Sequence, residues 1–378
     1  MLIFVNILYK IIKYRNALVL PFLSLILLIC STFGLISSNF VENYYYLHIF
    51  QWWRVIYDYT FGWLPFPSVY VLFICLFPLL HFVMYVPIKN KSWTQGLIRI
   101  SNLLAGIYLF FYLLWGLNYN KRNLSDILDF PKIEMTKEDL LTEINVIHDL
   151  SLLTRSKKLN DPDSIRKSLI PGNLESTIRK HQKSLLKSWN LPHSGRVRVR
   201  KLRPSGLLLR ISTAGVYIPY ASEGHIDRGL HPVQWPFTMA HEMAHGHGIT
   251  DEGECNFVAL VTCLMAEEPI IQYSGLLGYY RYLLNNYRLY YRNEYPDMYE
   301  AIDPGLRKDI QAINDQLNKY PDILPDLRDK IYDSYLKKHG VHAGLHSYST
   351  IIQLVNQWKK SSYNRDLIIQ IFPESIHE

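Results

Sequence analysis

Cysteine is scarce in this chain, and its placement excludes one class of protein. Only four of the 378 residues are cysteines. Cys30 and Cys75 lie inside long apolar runs, which are not the setting of a disulfide framework. Cys255 and Cys263 fall on one predicted helix whose rise separates them by roughly 12 Å, too far for a disulfide. A small secreted fold held together by disulfides is therefore excluded.

Charge is sparse as well, since Asp, Glu, Lys and Arg together make up 19% of the sequence. The formal net charge of +7 is spread along the chain and belongs to no nucleic-acid-binding module. We therefore expect no nucleic-acid partner. We interpret the surplus of basic residues as solvation and as a bias toward the edges of a membrane.

Three long runs near the N-terminus are almost free of charge. Residues 17–36, 69–86 and 98–117 each provide about the 20 apolar residues that a membrane helix needs. Arg99 is the only Asp, Glu, Lys or Arg within them. The runs predict three transmembrane α-helices. We expect the first to remain in the mature protein, because its apolar stretch is long and no small-residue cleavage site follows it.

Basic residues in the short loops predict which side of the membrane each segment faces. They concentrate in the leader and in the loop between the second and third runs: Lys10, Lys13, Arg15, Lys89, Lys91 and Arg99. Such loops face the cytoplasm. We therefore expect an integral protein of the bacterial inner membrane, with the lipid bilayer as a partner. Residues 1–120 would form the anchor, and residues 121–378 would form an extracytoplasmic, periplasmic domain.

The loop between the first two runs, residues 38–68, is crowded with aromatic side chains. Trp and Tyr concentrate at membrane–water interfaces because their rings are amphipathic. A packed aromatic cap over the helices is a second interpretation. The sequence leaves both open.

The pattern H-E-x-x-H lies within residues 237–248, FTMAHEMAHGHG. On a helix, His241 and His245 lie one turn apart on the same face, so both imidazoles can bind one Zn²⁺ ion. Glu242 lies beside them, where it can accept a proton from a metal-bound water. Pro236 can begin such a helix. The pattern predicts one zinc ion per chain.

A catalytic zinc site needs a third protein ligand and keeps a fourth position for water. Glu252 with Asn256 would supply a ligand and, one turn later, an amide that orients a ligand histidine. Asp251 gives a metzincin-like spacing in which Gly248 reverses the chain. Glu254 points roughly 200° away from Glu252 on the same helix. We favour Glu252 and keep Asp251 and Glu254 as alternatives.

The remainder of the second half predicts a mainly helical α+β domain. Helices are expected over residues 136–153 and 174–189, and strands over 196–200, 207–211 and 215–220. The alternation RVRVR gives the first strand a basic face, which we interpret as solvated. Strands that lead directly into an H-E-x-x-H helix are what a zincin fold requires. The last strand of such a sheet offers an edge along which a peptide can lie extended.

These residues predict a membrane-anchored zinc metallopeptidase. Zinc on His241, His245 and Glu252 would lower the pKa of its water, and Glu242 would take the proton and pass it to the leaving amine. Zincins usually add a side chain that steadies the developing oxyanion. The candidates for that role are Tyr217, Tyr273, Tyr335, His346 and Tyr348.

The alternative is a non-catalytic membrane sensor or scaffold in which zinc fastens a domain together. A structural zinc site fills all four positions with protein ligands, usually including several cysteines. Cys255 is the only thiol near the motif. The sequence therefore favours the catalytic interpretation.

Short motifs carry a resemblance that covers nearly the whole chain. They are FGWLPF at 61–66, WGLNY at 115–119, GVYIPY at 215–220 with Glu223, PFT-x-AHEMAH at 236–245, Gly248, E-x-E-x-NF at 252–257, YSG at 273–275 and YDSYLK at 332–337. With these motifs the chain resembles a family of Bacteroidetes membrane proteins, domain of unknown function 3810, which is grouped with zincin-type metallopeptidases. Cys255 stands where the family pattern has Ala, and His247 where a larger uncharged residue is usual. The resemblance implies a membrane-bound zincin and names no substrate.

Residues 252–256 also resemble, more distantly, the gluzincins, in which Glu-x-x-x-Asp or Asn follows the zinc helix. That resemblance implies Glu252 as a metal ligand and Asn256 as the residue that orients a ligand histidine. The spacing between His245 and Glu252 is much shorter than in thermolysin-like enzymes.

Overall fold

A computed structural model describes residues 15–160, 165–323, 350–363 and 365–372, together with the single positions 326, 330 and 334. These residues are mainly helical, with one three-stranded sheet. The chain divides into two compact units. The first is drawn from Met1–Trp53, Ser68–Lys121 and Pro219–Ala221, and the second from Arg54–Pro67, Arg122–Ile218 and Ser222–Glu378.

The helices and strands follow in chain order. The α-helices are α1 (Val19–Thr32), α2 (Ser38–Phe40), α3 (Phe50–Thr60), α4 (Val69–Lys89), α5 (Trp93–Leu114), α6 (Leu124–Ile127), α7 (Lys137–Leu153), α8 (Leu174–Ser188), α9 (Trp235–Gly246), α10 (Glu252–Leu264), α11 (Pro269–Tyr290), α12 (Tyr295–Glu300), α13 (Pro304–Asn318), α14 (Thr350–Lys359) and α15 (Arg365–Ile371). The strands are β1 (Arg198–Leu202), β2 (Gly215–Ile218) and β3 (Glu223–Asp227). Tighter 3-10 turns occur at Arg15–Leu18, Gly116–Asn120, Lys167–Leu169, Leu209–Ile211, Pro219–Ala221 and Pro232–Gln234, and wider π-helical turns at Val41–Ile49 and Thr154–Lys158.

Within the described residues, two helices are long and apolar enough to cross a membrane. They are α4, with 21 residues, and α5, with 22. Most of their large apolar side chains are exposed on the protein surface. Both coincide with runs that the sequence analysis assigns to the membrane.

The prediction of a third spanning helix over residues 17–36 is wrong for the described part of the chain. α1 has 14 residues. Even with the 3-10 turn that leads into it, the apolar helix over Asn16–Thr32 is shorter than the roughly 20 residues that a spanning helix needs. The helix ends at Thr32, and Gly34 at a φ of +63° turns the chain away from the helix axis. An apolar composition does not prevent this left-handed turn, which needs only a glycine.

The first unit contains part of the aromatic cluster as a packed core. Tyr45 and Tyr46 are 1% and 5% exposed. The Tyr45 hydroxyl donates to the carbonyl of Leu113, at the end of α5. The packed interpretation therefore holds for these two tyrosines.

The sheet of the second unit has the order β1–β3–β2. β3 lies in the middle, parallel to β1 and antiparallel to β2. Gly224 of β3 stands opposite Val199 on one side and Tyr217 on the other. β2 is thus an edge strand of this sheet and is antiparallel to β3.

The strand predictions are correct for β1 and β2 and wrong for residues 207–211. The carboxylate of Asp227 accepts hydrogen bonds from the backbone amides of Gly206, Leu208 and Leu209, at 2.7, 2.7 and 3.2 Å. Those amides are therefore held in a turn and cannot pair with a neighbouring strand. β3 was not predicted from the sequence; its five residues are all buried although three of them are polar or charged.

The interpretation of the basic face as solvated is wrong for Arg198 and Arg200, whose side chains are 10% and 11% exposed, whereas Arg196, which precedes β1, is exposed. Arg198 Nε donates to Glu175 Oε1 at 2.6 Å, and Arg200 Nε donates to Glu223 Oε1 at 2.5 Å. The same two guanidinium groups donate to the carbonyls of Gly62 and Leu64. Burial without these partners would cost several kcal/mol per ion, at an order-of-magnitude level.

The two helices that follow the sheet lie at the centre of the second unit. α9 packs on α10, and Gln182 of α8 donates to the carbonyl of Ala240 at 2.8 Å. In the core the rings of Trp189 and Phe257 stack with centroids 5.7 Å apart, and Trp358 meets Phe257 edge-on. This packing fixes the backbone of both helices, and they carry the site described next.

Candidate metal centre

Local chemistry explains where α9 begins and ends. Pro236 lies in its first turn, where a missing amide hydrogen costs nothing. The backbone amide of Phe237 donates to Ser274 Oγ at 3.1 Å. At the other end, Gly246 approaches Val197 so closely that a Cβ would not fit, and Gly248 adopts a φ of +86°. The chain therefore turns sharply and returns as α10.

The returning helix brings a carboxylate onto the two histidines of α9. Glu252, the first residue of α10, lies with Oε2 3.1 Å from His241 Nε2 and Oε1 3.6 Å from His245 Nε2. One potential ligand atom from each of the three residues lies within 4.8 Å of the others. Two imidazole nitrogens and one carboxylate are the donor set of many catalytic zinc sites, which keep a fourth position open.

Both imidazoles are oriented by oxygen atoms behind them. His241 Nδ1 lies 2.8 Å from Asn256 Oδ1, and His245 Nδ1 lies 2.9 Å from the carbonyl of Ile249. A carbonyl only accepts, so Nδ1 of His245 carries a hydrogen, and Nε2 is the nitrogen left to bind a metal ion. The thiol of Cys255 also contacts His245 at Nδ1, 3.3 Å away, and therefore lies on the side opposite Nε2.

The other two carboxylates considered from the sequence lie elsewhere. Asp251 caps α10, its side chain accepting from the amide of Glu254 at 2.9 Å. The carboxylate of Glu254 accepts from the backbone amide of Leu124. Of the three acidic residues, the structure brings Glu252 to the histidines. It also places Asn256 behind His241.

For both Glu252 and Glu242, burial acts to raise the pKa and the nearby imidazoles act to lower it. Burial acts to raise the pKa of Glu252, but the two imidazoles outweigh it and hold that pKa well below its usual range. Burial raises the pKa of Glu242 to about 7, although His241 and His245 act to lower it. Glu242 is 3% exposed, and its Oε2 has no hydrogen-bond partner among the described residues. A carboxylate in this state is suited to exchange a proton near neutral pH.

Two glycines of the sheet leave the space that Glu242 occupies. A Cβ at Gly215 of β2 would lie 2.5 Å from Glu242 Oε1, and one at Gly224 of β3 would lie 2.8 Å from Glu242 Cβ. A larger residue at either position would displace the carboxylate. The edge strand β2 therefore passes directly beside Glu242.

The metal-free protein is expected to lose stability between about pH 5 and about pH 8 because of Glu242. Its folded-state pKa is raised to about 7 from the ordinary 4.5, so the carboxyl stabilises the fold below the lower value and loses that contribution as pH rises through the higher one. The loss is at most about 3 kcal/mol. Thermal unfolding of chelator-treated protein measures it. Glu242→Gln should be relatively more stable at the higher pH, and parallel curves for the two proteins would contradict the expectation.

The oxyanion candidates fall into two groups. Tyr217 accepts a hydrogen bond from Arg54 Nη1 at 3.2 Å, and Tyr273 donates to Asp309 Oδ2 at 2.6 Å. Both hydroxyls thus bind residues outside the metal-ligand cluster. Three further candidates, Tyr335, His346 and Tyr348, lie outside the described residues.

Tyr282 of α11 belongs to the site, although nothing in the sequence predicts this. Its hydroxyl donates to Asn256 Oδ1 at 3.3 Å, the same oxygen that faces His241. Burial, with the charge of Glu252, raises the pKa of Tyr282 to about 12, so it remains a donor. It lies in a tyrosine-rich helix with no local motif around it. Only the packing of α11 on α10 brings it to Asn256.

Asn256→Ala is expected to weaken zinc binding by about 10- to 100-fold, because an acceptor that orients a ligand histidine is lost. Competition with a chromophoric chelator measures the affinity. Asn285→Ala, on the exposed part of α11, is the matched control and should bind zinc as the parent does. Equal affinities for all three proteins would show that Asn256 does not orient His241.

Comparison with known protein families places most of the chain in one family. A family model described as a protein of unknown function (DUF3810) matches residues 45–356. No curated protein matches the chain, and no solved structure does.

Proposed function

Because the chain belongs to the DUF3810 family of proteins of unknown function, we propose its activity from the site itself: a membrane-anchored, zinc-dependent metallopeptidase that hydrolyses peptide bonds. The observation that carries the proposal is the cluster of His241, His245 and Glu252 beside the buried carboxylate of Glu242. Neither the three-residue cluster nor Glu242 alone would support the proposal. Together they match what metal-assisted hydrolysis requires.

The residues of the cluster fit a zinc ion. Nε2 of both histidines and the carboxylate of Glu252 converge, and the Nδ1 atoms are held by Asn256 and by the carbonyl of Ile249. Zinc bound by such a set lowers the pKa of a water molecule and polarises a carbonyl.

Glu242 would act as the proton carrier. Its buried carboxylate would accept a proton from the attacking water and then deliver it to the leaving amine. The walls made by Gly215 and Gly224 would hold it in place for both transfers. Burial also keeps bulk water from screening its charge.

The substrate would lie along β2. This edge strand passes beside Glu242, and an extended peptide can add to an open sheet edge through backbone hydrogen bonds. Such pairing recognises backbone more than side chains. We therefore propose a peptide or protein substrate in extended form.

A purely structural role for zinc is less well supported. The only nearby thiol, that of Cys255, contacts Nδ1 of His245 and thus faces away from Nε2. The metal-ligating group found among the described residues has three members. Three ligands leave a position open, as catalytic sites do.

The membrane location is also a proposal. α4 and α5 have the length and composition of spanning helices, and their apolar side chains are mostly exposed. Lys89 at the end of α4 and Lys91 in the loop after it favour the cytoplasmic side. The chain after α5 would then lie on the extracytoplasmic side of the bacterial inner membrane.

Purified full-length protein tests this function. Zinc-loaded, chelator-treated and zinc-reconstituted samples are incubated with a diverse mixture of synthetic peptides, and the products are identified by mass spectrometry. We expect cleavage that chelation abolishes and zinc restores. A protein that binds zinc but cleaves nothing would favour the non-catalytic sensor or scaffold.

A further inference from the structure

The segment of residues 54–67 carries its charges inward and its apolar side chains outward. Arg54 and Asp58, its only charged residues, have side chains that are 1% and 9% exposed. Six of its large apolar residues are between 38% and 84% exposed and are named here the 55–66 patch: Val55, Ile56, Tyr59, Phe61, Trp63 and Phe66. In a segment that faces water, the charged side chains point outward and the large apolar side chains point inward.

Buried polar contacts on the inner side hold this orientation. Arg54 Nη1 donates to the carbonyl of Ser222 at 2.6 Å and to the Tyr217 hydroxyl at 3.2 Å. Asp58 accepts from the backbone amide of Arg196. If the segment were turned over, its aromatic rings would become buried. Arg54 and Asp58 would then lose the buried partners that satisfy their charges. The outward patch is therefore a built feature of the second unit.

We propose that the 55–66 patch inserts into the interfacial layer of a lipid bilayer. Only Pro67 and Ser68 separate Phe66 from α4 in the sequence, so the chain itself ties one end of the patch to any membrane that α4 enters. Trp, Tyr and Phe are the residues that settle at that depth. The patch has no charged side chain that would have to lose its hydration.

The inference rests on the membrane location proposed above for α4, and it goes beyond it. The patch belongs to the same compact unit as His241, Glu242, His245 and Glu252. The unit with the metal centre would thus bind the bilayer surface itself, in addition to its covalent link to the spanning helices. Substrates would then be peptide segments close to the membrane.

Depth-dependent fluorescence quenching of the full chain tests this inference. One cysteine is introduced, at Tyr59→Cys or Trp63→Cys, in a Cys30→Ser/Cys75→Ser background, and it receives an environment-sensitive fluorophore, since the two remaining native cysteines, Cys255 and Cys263, are buried. The protein is reconstituted into phosphatidylcholine vesicles. Quenchers are lipids with a spin label near the headgroup and, separately, iodide in the water.

Two control sites make the outcomes distinguishable. Tyr290→Cys replaces another tyrosine of the second unit, 73% exposed against 84% for Tyr59. Cys75, exposed on α4 and labelled in a Cys30→Ser background, reports whether that helix is in the bilayer.

We expect the spin-labelled lipid to quench the fluorophore at positions 59 and 63 at least about twofold more than at position 290. Iodide should quench the fluorophore at position 290 more than at positions 59 and 63. If iodide quenches 59 and 63 as strongly as 290, the patch faces water and the inference is wrong. If neither quencher reaches them, a protein covers the patch and the inference is again wrong. Cys75 separates these cases from a failure of the membrane location, in which its own label would not be quenched by lipid.

Discussion

Glu242→Gln is expected to lower peptide hydrolysis by about a thousandfold while about one zinc ion per chain stays bound. Gln has nearly the shape of Glu, so it fits between Gly215 and Gly224, but its amide cannot take up a proton. Glu242 is not a member of the ligand cluster, so zinc should remain. The loss should fall on kcat rather than on KM, because the proton moves only in the reaction.

The measurement combines steady-state kinetics on a cleaved peptide with metal analysis of the same preparation. Glu300→Gln, on the exposed face of α12, is the matched control and should leave both quantities unchanged. A Glu242→Gln protein that retains zinc and hydrolyses peptide at the parent rate would show that another group accepts the proton. It would leave the metal centre intact and overturn the role assigned to Glu242.

The part of this site that the sequence predicts is the part that local geometry determines. His241 and His245 meet because helical residues four apart share a face. Glu252 is different, since the sequence offers three carboxylates within four residues. The choice depends on the turn at Gly248 and on Asp251, which becomes the helix cap and thereby makes Glu252 the first residue of α10.

Contacts between distant segments are the part that the sequence does not predict. Tyr282 reaches Asn256 through packing of two helices, and nothing near it in the sequence indicates this. The sequence of β3 does not predict a buried strand, because Glu223 and Asp227 are charged. Both charges are satisfied only in three dimensions, by Arg200 and by the amides of the loop before β2. The same holds for Arg198, whose partners come from residues 175 and 62.

The membrane segments show the limit of composition as a guide. Composition alone cannot distinguish a run that continues as one helix from a run that turns within it. Residues 69–86 and 98–117 continue as α4 and α5, while the run that begins at residue 17 turns at Gly34. A single residue with a left-handed backbone is enough to end a helix.

Glu252→Ala is expected to weaken zinc binding by roughly a thousandfold, because about 10–16 kcal/mol of zinc affinity is shared among only a few ligands. Loss of this carboxylate also removes the one negatively charged member of the ligand group, which would offset part of the charge of the metal ion. Affinities are measured by chelator competition, and metal content by elemental analysis.

Asp251→Ala and Glu254→Ala are the matched controls, since each removes one carboxylate from the same turn of chain. Asp251→Ala should cost about 1 kcal/mol of folding stability through the lost helix cap, yet keep its zinc. Glu254→Ala should also keep its zinc, because its carboxylate binds the amide of Leu124. If zinc were lost from Asp251→Ala and kept by Glu252→Ala, the site would have a metzincin-like ligand set. If the parent protein bound no zinc, the hydrolase proposal would fall, because Glu242 would then have no activated water from which to take a proton.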